Sequence, residues 1–272
     1  MSASIRLQIL SDLHLESPSA YDVFDIEPQC ENLALLGDIG NVRDDGLFSL
    51  LRVLLVRFRL VLFVAGNHEP YHSSWVAAKD RLASFSDEIL TAREVDPSLG
   101  RFVLLDRTRF DFSSSTTVLG CTLFSDVPVE KTEHISFGLN DFYHIADWSV
   151  AEHIKAHETD LQWLNTEVSR ISKEEPDRRI VILTHYCPII CDQSVDPKHR
   201  NSPILSGFCT DLEGHECWTN PAVTLWAFGH THHNCDFVDE RTWKRVVTNQ
   251  RGYYHDQAAG FDIKKVVDVP AL

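Results

Sequence analysis

Five short polar cassettes, each directly after an apolar run, hold the groups that could do chemistry. They are Asp12-Leu-His14, Gly37-Asp38, Gly66-Asn67-His68-Glu69, Thr184-His185 and Gly229-His230-Thr231-His232. Together they offer Asp12, His14, Asp38, Asn67, His68, His185, His230 and His232. Carboxylate, amide and imidazole without thiolate suit divalent Mn, Fe, Zn or Co better than a soft metal. Eight such groups exceed one tetrahedral site, so the count points to two ions per chain. Asp38, a lone carboxylate between two groups of ligands, is the natural bridge. Two ions roughly 3.5–4 Å apart activate a water and clamp the attacking and leaving oxygens of a phosphoester.

The elements that must position these cassettes are strands. Apolar runs at Ile5–Leu10, Leu33–Leu36, Leu60–Ala65, Arg179–Thr184 and Val223–Phe228 read as buried strands. Helical spacing covers Gly46 to Phe58, Trp75 to Leu90 (started by Ser73-Ser74) and Val150 to Ile171. Phe102–Leu105, Arg109–Phe112 and Thr116–Phe124 read as short strands, and Cys235–Val238 and Val246–Asn249 as closing strands. Ser125 to Ser149 reads as loop. In sheets built from crossover units, loops beyond the strand C-termini gather on one edge, where ligand sites form. If the chain stays extended through His230 and His232, both rings point to one side. His153 and His157, four apart on a helix, read as a solvated face.

Composition narrows the classes. The chain has 272 residues and a formal net charge of -15, which disfavours nucleic acid and anionic membrane as partners. It leaves room for a small phosphorylated substrate, because bound cations reverse the local sign. The apolar stretch from Leu47 to Ala65 is broken by Arg52, Arg57 and Arg59, so no membrane span is expected. The first residues lack an export signal, and seven cysteines read as reduced thiols in a cytoplasmic protein. Cys187 and Cys191 lack the second close pair a zinc site needs.

The five cassettes, in this order, resemble those of the calcineurin-like metallophosphoesterases over residues 9 to 232. Gly120–Phe124, Leu139–Phe142, Ser206–Glu213 and Asn249–Tyr253 are similar, more loosely, to segments of small soluble bacterial and fungal members. The resemblance implies a four-layer αββα sandwich, two mixed β-sheets flanked by helices, as a single domain over residues 1–272. It implies Asp12, His14 and His232 as ligands of one metal, Asn67, His185 and His230 as ligands of a second, and Asp38 as the bridge. His68 then stabilises the phosphate or protonates the leaving oxygen, and a metal-bound hydroxide attacks phosphorus in line.

Two departures shape the expected substrate. Many phosphatases of the family follow the second-cassette aspartate with another acidic residue and an arginine, whereas here Gly37-Asp38-Ile39-Gly40-Asn41 has neither. A monoester's second charge benefits most from such an arginine, so the expectation is a phosphodiesterase acting on a small molecule. Phosphomonoesterase and protein serine/threonine phosphatase are the alternatives, and a non-catalytic metal-binding scaffold is the alternative of another class. Cyclic-nucleotide-type members carry aspartate after the histidine, where this chain has Glu69. Arg251 is placed as a phosphate-gripping fork and Asn140 as a pocket-lining group. The segment from Tyr186 to Pro221 is long for a simple connection, and reads as a lid or substrate wall.

Overall fold

The computed structural model describes residues 5–269. The first four and last three residues of the expected 1–272 domain, including the start read as leaderless, lie outside them. The chain runs β1 (Ile5–Leu10), β2 (Asn32–Leu36), α1 (Asp45–Arg57), β3 (Leu60–Val64), α2 (Trp75–Val95), β4 (Arg101–Leu104), β5 (Thr108–Asp111) and β6 (Thr116–Cys121). It continues with α3 (Val150–Glu174), β7 (Arg179–Thr184), β8 (Val223–Phe228), β9 (Asp236–Val238), β10 (Arg245–Thr248) and β11 (Val266–Val269). One five-stranded sheet has the order β11-β1-β2-β3-β4, and one six-stranded sheet the order β9-β10-β8-β7-β6-β5. Both are mixed. β1 to β4 are mutually parallel with β11 antiparallel at the edge, and β6, β7, β8 and β10 are parallel between antiparallel β5 and β9.

Alternation decides the layers. Along β2, Ala34 and Leu36 face the other sheet, while Leu33 and Leu35 face α1 and α2. Along β8, Leu225 and Ala227 meet the first sheet, and Trp226 and Phe228 pack under α3. The two sheets therefore share a dry layer with Leu7, Ile9, Leu62, Val64, Val181 and Leu183 at its heart. Each such side chain contributes about 1.5–3 kcal/mol on burial. This is the four-layer αββα sandwich. Among the described residues, no helix is long and apolar enough to cross a membrane.

Several boundaries differ from the sequence reading for physical reasons. α2 and α3 run past Leu90 and Ile171, to Val95 and Glu174. Asp96 and Glu175, each followed by a proline, are the residues where helical backbone becomes disfavoured. The segment from Ser125 to Ser149 is not plain loop, since it holds the short helices Thr132–Gly138 and Asp141–His144. β11 was not expected; its four residues are too few to show alternation, and pairing with β1 (Ile5 opposite Val269) makes it a strand.

His153 and His157 correct the solvated-face reading, because both are buried. His153 Nε2 accepts from Ser125 N at 3.2 Å, and His157 Nδ1 lies 2.9 Å from the Leu123 carbonyl. Burial, aided by His157, pushes the His153 imidazole down to about 3. The native state keeps this ring neutral, whereas the unfolded chain protonates it below about 6.5. Between those values the unfolded state binds more protons, so stability falls as pH drops through the window. Urea unfolding of wild type at pH 7 and pH 5 should show a loss that is smaller by ~2 kcal/mol in His153→Gln. Equal losses in the two proteins would refute this.

Candidate metal centre

β1, β2, β3, β7 and β8 are parallel within their sheets, and their C-terminal ends meet at one edge of the sandwich. The cassettes there tie the sheets together. Asp12, beyond β1, accepts the backbone N–H of His230, beyond β8, on Oδ1 at 3.0 Å and Oδ2 at 3.1 Å. His185 Nδ1, beyond β7, lies 2.7 Å from the carbonyl of Leu36 in β2. The cassette glycines make room for this convergence. A Cβ on Gly37 would collide with the His185 ring, one on Gly66 with the Asp38 carboxylate, and one on Gly229 with the Ser11 hydroxyl.

All eight candidate groups come together. Asp12, His14 and His232 form one donor set, and Asp38, His185 and His230 another, with the donor atoms of each set within 4.8 Å of one another. Asp38 lies between them, with Oδ1 3.4 Å from His185 Nε2 and Oδ2 3.9 Å from His14 Nε2 and from His68 Nε2. Asn67 Oδ1 joins the second set, 3.0 Å from His185 Nε2. His230 and His232 fall in different sets because the backbone is not extended there. Their φ values are +68° and +50°, and Asp12, His14 and Asp38 are left-handed as well, at +53°, +47° and +55°. Such backbone costs on the order of 1–3 kcal/mol per residue and gathers at functional sites.

The donors fit a divalent cation. His14 Nε2 and His232 Nε2 face each other at 3.0 Å, and His230 Nε2 is buried with no hydrogen-bond partner among the described residues. Burial would raise the two aspartates, yet His232 beside Asp12, and His185 and His68 beside Asp38, hold both carboxyls below the usual range. Burial and the neighbouring His185 push the His230 imidazole well down, so it is neutral with a lone pair to give. Nitrogen and oxygen donors without sulfur suit a borderline or hard divalent ion.

Supporting groups surround this set. Glu69 accepts from the N–H groups of Gly66 (2.6 Å), Ile39 (2.8 Å) and Asp38 (3.0 Å), locking the second cassette to the third. Burial and the Asp38 charge push its carboxyl up to about 7. Asp141 Oδ1 accepts from Asn67 Nδ2 at 2.8 Å and from Tyr71 Oη at 2.7 Å. That bond fixes the amide with its oxygen toward His185. Asp141→Asn should therefore weaken metal at the His185–His230 set by about 10–100-fold, the usual effect of an outer partner. Titration with manganese, read by calorimetry, would show it; unchanged affinity would exclude the role.

A cavity of about 320 Å³ opens onto the site. Asn140 lines it. Arg251 does not: its Nη1 donates to the Leu13 carbonyl at 2.8 Å and its guanidinium lies over Phe24, so it is no phosphate fork in this structure. Part of the segment from Tyr186 to Pro221 forms a wall, with Val195, Lys198, Leu205 and Phe208 on the cavity. Phe208 stacks on His230 at 4.8 Å between ring centroids. His68 stacks on Tyr71 at 4.1 Å.

A four-layer sandwich with an aspartate–histidine donor cluster at one strand-end edge defines a class of metal-dependent hydrolases. A family model described as calcineurin-like phosphoesterase matches residues 5–234, and the chain belongs to that family. It is a phosphoric ester hydrolase that uses divalent metal. An uncharacterized protein of Acanthamoeba polyphaga mimivirus is 26% identical over 284 residues, covering 98% of this chain and 97% of that one. Among solved structures, the phosphopantetheinyl hydrolase of Mycobacterium tuberculosis is similar in fold, with a TM-score of 0.66 and 18% identity over 94% of this chain and 92% of that one. A dimetal phosphatase from Danio rerio has a TM-score of 0.54 and 15% identity, covering 90% of this chain and 87% of that one.

Proposed function

We propose that this protein hydrolyses a small-molecule phosphodiester with two divalent ions per chain, one held by Asp12, His14 and His232 and one by Asn67, His185 and His230. The observation that carries the reading is Asp38, whose two carboxylate oxygens face the two donor sets separately. Bound there, the ions would lower the pKa of a water to make the nucleophile and neutralise charge on the phosphate. His68 presents Nε2 beside Asp38 and donates a proton to the leaving oxygen. Against the burial that would lower it, the Asp38 and Glu16 carboxylates raise the His68 imidazole to about 9.

The cavity wall supports the diester preference. Lys198 is its long cation, and Lys198 Nζ is already 3.3 Å from Asp196 Oδ2. Asp141 and Asp256 add carboxylates to the same cavity. Such a wall, with no arginine among the described residues on it and its lysine beside a carboxylate, suits a monoanionic diester better than a dianionic monoester. The wall from Val195 to Phe208, with Asn140 also on the cavity, encloses a volume suited to a small molecule rather than a protein loop. Buried thiols at Cys121, Cys187, Cys209 and Cys217 are consistent with work in the reducing cytoplasm.

Elemental analysis, then manganese reloading and assays with bis-p-nitrophenyl phosphate and p-nitrophenyl phosphate, tests the reading. Close to two ions per chain with faster diester cleavage is the expected result. Faster monoester cleavage would keep the centre and overturn the diester preference. No bound metal and no turnover after reloading would turn the reading to a non-catalytic scaffold.

A further inference from the structure

The Nδ1 edge of His68 is held from outside its own loop. Glu16, two residues beyond His14, places Oε1 3.0 Å from His68 Nδ1 and 3.3 Å from His14 Nδ1. Its side chain is only 9% exposed, so solvent does little to weaken either bond. Asp38, the carboxylate of the second cassette, lies on the other edge of the ring, 3.9 Å from His68 Nε2. With both Nδ1–H groups donated to one oxygen, both rings turn Nε2 toward Asp38, each at 3.9 Å. Tyr71 stacks on one side of His68, and Tyr253 Oη stands 3.4 Å from its Nε2.

We propose that Glu16 is the positioning residue for His68, aiming its Nε2 into the cavity and tying that ring, through one shared oxygen, to His14 of the first donor set. The inference rests on the hydrolytic reading above for its kinetic consequence, but not for the geometry itself. A carboxylate accepting from an imidazole N–H fixes both ring orientation and tautomer. Charge-assisted bonds of this kind are roughly twice as strong as neutral ones. Glu16→Gln keeps the shape and removes the charge.

The test uses the full chain. In metal-free wild type, nitrogen–proton NMR of the imidazoles should show a hydrogen-bonded Nδ1–H on His68, assigned by its loss in His68→Ala and weakened in Glu16→Gln. Absence of that proton in wild type overturns the proposal without any variant having to fold. In manganese-loaded protein, Glu16→Gln should cleave diphenyl phosphate at least ~10-fold worse, relative to wild type, than it cleaves bis-p-nitrophenyl phosphate, because only the poorer leaving group needs the proton. Equal losses on both esters, no loss, or a loss that tracks metal content would each overturn it. Should loaded wild type cleave no ester, the hydrolytic reading fails, while the NMR result still decides what Glu16 holds.

Discussion

Asp38→Asn is expected to lower turnover by well over ~100-fold and to deplete metal from both donor sets at once. Partners one layer outside a metal commonly cost about 10–100-fold when removed, and Asp38 would be a direct ligand to two ions. It is buried, with one oxygen toward His185 and the other toward His14. The amide would still accept the His68 N–H that Oδ1 now takes at 2.8 Å, so the fold should survive. What asparagine lacks is the charge that lets one group serve two cations. Elemental analysis and diester turnover of the reloaded variant check this, and full activity would end the two-metal reading.

His68→Ala should behave in the opposite manner toward metal. The ring leans on Glu16 and Tyr71 rather than completing either donor set in the proposed assignment, so both ions should remain. The catalytic constant should fall by about 100-fold or more, the usual worth of a positioned general acid. The deficit should widen as the leaving group worsens. Measured rates across a series of aryl diesters would decide it, and a rate unchanged for both good and poor leaving groups would remove His68 from the chemistry.

Much of this site was legible because apolar strands stop abruptly at polar cassettes. The bounds of β7 and β8 coincide with those read from the chain, since each run is apolar to its last turn and then meets histidine or glycine. His153 and His157 were misread because polar residues four apart on a helix resemble a wet face. A signal was present: with Asp160, Leu164, Val168 and Ile171 they continue one stripe at three- and four-residue steps. Glu16 carried no such signal, and Asp141 stood out only as part of the loosely similar Leu139–Phe142 segment. Their roles depend on tertiary contacts, with Asp141 reaching across 74 residues to Asn67. Arg251 shows the converse, a charge near the right loop that the fold spends on a carbonyl and a phenyl ring.

The left-handed backbone at Asp12, His14, Asp38, His230 and His232 makes the rim of this sandwich a deliberate weak point. Glycine's backbone would sit more comfortably at each position, and each such relaxation would remove a proposed ligand. Heat resistance and chemistry therefore pull in opposite directions at these five residues, while they agree in the dry layer between the sheets. A lineage or a library selected only for survival at high temperature would wear the site away first and leave the sandwich whole.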